Sequence, residues 1–279
     1  MRFSPTGSIW FGCVTLAKRP LFFAGAAVIL IAMSMVAAVS SGFADMATIG
    51  LSEQFPWIGY LVYEDFFAKI VRLWSEPGEL EKGSVEWTVP GDLTDWALTN
   101  YVSMGAVALY LSAQDNVRAA KLSAIWAPHP YWSFLAVSAL TAVSVVLGAM
   151  ILFVPGVIAL VLFCFSPFVV IDKGLGPIEA MKESARISSG QRWRVFALFL
   201  LCLLIWVVFA VLVLGALALA VVLLIQNESL TEWASPMFWF CGVLVGIGML
   251  VLIAVGGLAF AHAYRQLSRS AQPVPLQAT

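Results

Sequence analysis

The chain has 279 residues, 61% of them hydrophobic and 11% charged, with a formal net charge of −1 and a mean hydropathy of +0.94. A soluble domain is about 45–50% apolar and about 25% charged, so this composition excludes an ordinary soluble globule and points to a polytopic membrane protein. The near-zero charge offers no overall basic surface and argues against a nucleic-acid partner.

The N-terminal SPTGSIWFGCVTLAKRP reads as a short helix that Ser4 or Thr6 caps, with Lys18, Arg19 and Pro20 marking where the chain meets the membrane. Leu21–Ser40 is the first stretch able to cross a hydrocarbon core, which takes ~20 apolar residues. It is longer than the apolar part of a cleaved signal peptide, although small residues lie near Ala44. Residues 41–93 form an acidic extracytoplasmic loop, with nine Asp or Glu against Lys69, Arg72 and Lys82. Within it YLVYEDFFAKIVRLW has helical periodicity, and this amphipathic helix lies on the membrane or caps the bundle. GSVEWTVPGD, from Gly83 to Asp92, alternates like a short strand and ends in a Pro-Gly turn.

The second span, Thr94–Ser112, is the most polar: Trp96, Asn100, Ser103 and Val107 share one face. Asn100 and Ser103 there serve as helix-packing contacts or line a pathway. Tyr131–Phe153 and Gly156–Ile171 are joined only by Val154–Gly156. Together they would make about 62 Å of helix, twice the bilayer core, so they read as a hairpin. Pro167 should kink its second arm.

Residues 174–190 then read as a cytoplasmic surface helix, with Gly176 before it, Pro177 in its first turn and Gly190 just past its end. Ile178, Met181 and Ala185 are expected to form its apolar stripe. Lys182, Arg186, Arg192, Trp193 and Arg194 are the candidate membrane-surface contacts. The fifth span is Val195–Ile225 and the sixth Pro236–Tyr264. Gly242 and Gly246 in the sixth make a GxxxG step, suited to close packing within the bundle or against another subunit.

Charge sets the orientation. With the N-terminus inside, 12 of the 15 Lys and Arg residues fall in cytoplasmic segments, against four acids. The outer segments hold three basic residues and 12 acids, so both termini are placed in the cytoplasm. The expected fold is an all-α integral membrane protein: a single six-span helical bundle over residues 1–279, with cytoplasmic amphipathic helices and one acidic outer loop.

Little in the sequence points to chemistry. Cys13, Cys164, Cys202 and Cys241 lack CxxC spacing and read as small hydrophobes. His129 and His262 are far apart and give no zinc pattern. No catalytic set, cofactor or metal is expected.

The stretch LFVPGVIALVLFCFSPFVVIDKGLGPIEAMKESARISSGQRWRVFALFLL, with Pro155, Gly156, Pro167, Asp172, Ala180, Ser184, Gly190 and Trp193, resembles a family of poorly characterised bacterial polytopic membrane proteins. The AYRQL ending, Ala263 to Leu267, fits as well. The same domain is similar to the membrane part of some glycerophosphoryl diester phosphodiesterases. The resemblance implies a multi-pass inner-membrane protein and transfers no activity. The expected function is a non-catalytic accessory or assembly component of a membrane complex or envelope, contacting lipids and a partner or a second copy through the sixth span. The alternative is a permease or lipid-handling protein.

Overall fold

The computed structural model describes residues 3–54, 89–126, 130–226 and 231–271. Their regular elements are all helical: α1 (Pro5–Lys18), α2 (Pro20–Gln54), α3 (Val89–Asp115), a 3₁₀ turn (Leu122–Trp126), α4 (Tyr131–Ile151), α5 (Phe153–Phe163), α6 (Ser166–Lys173), α7 (Pro177–Ser188), α8 (Arg192–Gln226) and α9 (Thr231–Ala271). Five stretches are long and apolar enough to cross a membrane: Pro20–Ser40, Tyr131–Ile151, Phe153–Lys173, Arg192–Ala220 and Phe240–Ala271. The chain is therefore a polytopic membrane protein. The remaining expected span, Thr94–Ser112, lies inside α3 but is outside that apolar set. Its C-terminal half buries Met104, Ala108, Leu109, Leu111 and Ala113 against protein, so that half need not be apolar all round.

Several helix ends depart from the hydropathy boundaries. α2 has 35 residues and runs about 52 Å, so residues 41–54 continue the helix rather than open a loop. α3 begins at Val89, which places Pro90 and Gly91 in its first turn instead of a β-type turn. Proline is accepted there because the first N–H groups of a helix have no partner to lose. The periodic segment 60–74 and the expected strand at 83–88 lie outside the described residues.

The chain divides into two compact units, Met1–Ala27 with Met104–Thr279, and Val28–Ser103. In the second, Ser34, Ser40 and Ser103 bond back to the carbonyls of Leu30, Val36 and Thr99. A hydroxyl on a span is satisfied in this way without a neighbouring helix.

In the first unit α4 and α5 form the expected hairpin, turned at Leu152, whose backbone is extended. Pro155 and Gly156 fall in the first turn of α5, so Val154–Gly156 is helix and not the connection. A Cβ on Gly148 would meet the Gly156 Cα at 2.9 Å, and one on Gly156 would meet Ala149 Cα at the same distance. Only glycine lets the two backbones come this close. The span after the turn is broken: α5 stops at Phe163 and α6 starts at Ser166, with Pro167 in its first turn.

The core of this unit sits at its charged end. Phe165, Phe168 and Tyr264 form an aromatic cluster, the Phe168 and Tyr264 rings stacking 5.8 Å apart. Ala259, Ala261 and Ala263 are fully buried on α9, where small side chains let neighbouring helices approach. α8 behaves differently. Little of it is buried, and Leu203, Leu204, Val207, Val211 and Leu214 are exposed. Such a surface is stable against hydrocarbon rather than water.

Candidate functional site at the charged end of the bundle

The break between α5 and α6 frees backbone carbonyls, because Pro167 has no N–H to offer. An exposed carbonyl in an apolar setting costs about 1–3 kcal/mol if left unpaired. Three serines answer it. The Ser166 hydroxyl donates to the Phe163 carbonyl at 2.8 Å, and the Ser184 hydroxyl on α7 donates to the Leu162 carbonyl at 2.7 Å. The Ser188 hydroxyl donates to the Ser184 carbonyl and also lies 3.3 Å from the Leu162 oxygen.

This explains the face that α7 buries. Its ends are as the sequence indicates, with Gly176 preceding Pro177 and Gly190 at φ +83 after the last turn. The buried residues, however, are Ala180, Ser184, Ile187 and Ser188, while Ile178 is 62% exposed. The expected stripe of Ile178, Met181 and Ala185 lies outside this buried face. Docking onto a helix break calls for small residues and hydroxyl donors more than for bulk.

A second set of ties gathers the ends of four helices. Arg265 on α9 bridges Asp172 at the end of α6 and Asp115 at the end of α3, each at 2.6 Å. The neighbouring Tyr264 hydroxyl donates to the other Asp172 oxygen at 2.7 Å. Lys173 and Arg186 both hold Glu183, at 2.6 and 2.7 Å, and Arg186 also donates to the carbonyl of Ala271. α6, α7 and α9 are thereby linked side by side.

His262, one turn before Arg265, is sandwiched. Its ring stacks on Phe11 of α1 at 4.2 Å. Its Nδ1 and Nε2 each lie 2.8 Å from a glutamine amide, those of Gln114 and Gln266. A neutral imidazole accepts at one nitrogen and donates at the other, so one amide must turn its oxygen to the ring. Next to this contact α1 lies close on α9: a Cβ on Gly12 would meet the Val255 carbonyl oxygen at 2.7 Å. Arg19, at the C-terminal end of α1, donates to the carbonyls of Val117, Arg118 and Ala120.

The Arg186 guanidinium, with Lys173 behind it, pushes the Glu183 carboxyl down to about 2, against partial burial that opposes the shift. A depressed carboxyl contributes stability that is complete above its ordinary value and is lost as pH falls through the folded one. The α7 tie should therefore be unaffected by pH above about 4.5 and weaken between there and about 2. Thermal melting across that range should show the loss in the native chain and a smaller one in Glu183→Gln. Equal acid sensitivity in both would contradict it.

The candidate residues sort as follows. Asn100 donates to the Trp96 carbonyl of its own helix, as Ser103 does to Thr99. A Cβ on Gly242 or Gly246 would meet nothing within 4 Å, so neither glycine is in close packing among the described residues. Gly248 and Gly257 are the tightly packed ones, against the rings of Phe209 and Tyr110. Lys182, Arg192 and Trp193 are exposed and Arg194 half-exposed. Arg186 is also exposed, and its guanidinium is paired with Glu183 and the Ala271 carbonyl. The ties of Arg265 were missed in the sequence because their partners lie 93 and 150 residues away. No group of His, Cys, Asp and Glu suited to a metal ion occurs among the described residues.

The sequence model of a family described as a domain of unknown function (DUF7847) matches residues 92–267. The match takes in α4 to α8 and every residue of the Arg265 ties, and its description names no phosphodiesterase. No curated protein and no solved structure matches the chain.

Proposed function

The chain belongs to the DUF7847 family, and from that premise we propose that it is a non-catalytic component of the bacterial inner membrane, an accessory or assembly partner of a membrane complex. In this reading α3 supplies a sixth span and both termini lie in the cytoplasm, as the distribution of Lys and Arg favours. One observation carries the reading. The carboxylates Asp115, Asp172 and Glu183 at the charged end tie the chain's own helices together, while α8 and α9 keep exposed apolar faces with Gly242 and Gly246 open. Open glycines on a span allow close approach of another helix.

Native mass spectrometry of the protein extracted gently from its own membrane tests this. A stoichiometric protein partner is expected, and Gly242→Leu with Gly246→Leu should remove most of it while melting stays unchanged, since a Cβ added at either meets nothing within 4 Å among the described residues. A chain that leaves the membrane alone, holding one solute or lipid, would overturn the reading. That outcome would favour a permease or lipid-handling protein. This second reading draws on a small apolar crevice between α1, α8 and α9, lined by Ile9, Cys202, Trp206, Leu252 and Gly256.

A further inference from the structure

Ion pairing at the charged end leaves an uneven remainder. Of its carboxylates, Asp115, Asp172 and Glu183 are each held by a cation, and among the described residues only Glu179 is not. The cations are in excess. Lys182 and Arg192 make no ion pair or hydrogen bond with their side chains among the described residues, and Arg194 reaches only Gln191, at 3.4 Å. Arg118, Lys121 and Arg269 at the same end likewise have no carboxylate partner among the described residues. Two of the cations, Arg192 and Arg194, stand in the first turn of α8, where the helix dipole disfavours positive charge. Negative charge from outside the chain would be favoured there.

The exposed side chains beside these cations indicate where that charge comes from. Trp193, between the two arginines, is 83% exposed, and Trp132 and Trp126 near the start of α4 are 78% and 57% exposed. Ile178, one turn before Lys182, is also uncovered. An indole is stable where one edge is apolar and the other wet, at the level of lipid headgroups. A soluble anion would leave those rings in water.

We propose that the α7–α8 corner, with Lys182, Arg192, Arg194 and Trp193, binds the headgroups of anionic phospholipids in preference to zwitterionic ones. The phosphate and its net charge are held by the three cations, while Trp193 and Ile178 sit among the glycerol and upper acyl groups. The binding does not depend on the accessory role, because it rests only on the chain lying in a membrane. It predicts which lipid stays with the protein, not which partner does.

The full chain in mild detergent, offered phosphatidylglycerol and phosphatidylcholine in equal amounts, provides the test, with native mass spectrometry reading the retained lipid. Each cation near a lipid surface contributes about fivefold, so a preference on the order of tenfold to a hundredfold is expected after salt screening. Lys182→Gln with Arg192→Gln and Arg194→Gln should reduce it to near unity with melting unchanged. If that variant does not fold, Arg192→Gln alone should lower the preference, and added salt should lower it in the native chain. Equal retention of the two lipids, or a preference untouched by the substitutions and by salt, would overturn the proposal. So would displacement of the lipid by inorganic phosphate alone, or an acidic protein bound at the corner in its place.

Discussion

Gly12→Leu is expected to lift α1 away from α9. The atom that an added Cβ would meet, at 2.7 Å, is the Val255 carbonyl oxygen. A helix backbone cannot rotate aside as a side-chain tip can, so the whole of α1 must move. Overpacking a close contact costs about 1–3 kcal/mol, and a rigid wall puts this case at the upper end. Displacing α1 also pulls Phe11 from its stack on His262. Gly7 supplies the control. A Cβ there would lie 3.5 Å from Ser4, an ordinary contact, so Gly7→Leu should melt close to the native chain. A reporter cysteine in place of the buried Thr15, in a background without the four native cysteines, should become reactive only with Gly12→Leu. Equal melting of the two leucine variants would mean that α1 is not held by this contact.

Arg265→Ala is expected to have the next largest effect, by loosening α3, α6 and α9 together. Removing one member of a fully buried ion pair costs about 3–5 kcal/mol, mostly from the charge left behind. Here Arg265 is 21% and Asp172 19% exposed, so water screens part of that charge and about 2 kcal/mol is a fair expectation. The two acids should not count equally. Asp115 is 50% exposed and rehydrates when freed, whereas Asp172 is covered and also receives the Tyr264 hydroxyl. Melting temperatures should therefore fall most for Arg265→Ala, less for Asp172→Asn and least for Asp115→Asn. Arg265→Lys should rescue little, because an ammonium lacks the planar fork that reaches both carboxylates. A larger loss for Asp115→Asn than for Asp172→Asn would reverse this account.

The apolar spans were legible in the sequence because hydropathy reports directly on the solvent around a helix. It does not report where the helix stops, and α2 continues through residues 41–54 under a sequence of mixed polarity. The ends of α7 were legible for a local reason, since Pro177 and Gly190 mark backbone conformations regardless of the rest of the fold. Its buried face was not. Ser184 and Ser188 look like solvent residues until the break at Pro167 places an unpaired carbonyl opposite them. The Arg265 ties belong to the same class: each acid closes a different helix, and only the tertiary fold brings them to one arginine. The tightly packed glycines, Gly248 and Gly257, could not be told from the open pair by spacing, because the partner ring decides which is which.

The packing of α1 against α9 has a consequence for how the protein is made. Translation delivers α1 first among the described helices and α9 last, yet the carbonyl that Gly12 lies against belongs to α9. Throughout synthesis α1 waits with its contact face uncovered while the intervening spans insert. The bundle closes only when the final span arrives, a long-range step of the kind that is slow and open to misassembly. A ribosome stalled before α9 would release a chain whose N-terminal helix lacks the α9 side of its contacts, a feature by which quality control could tell unfinished chains from complete ones.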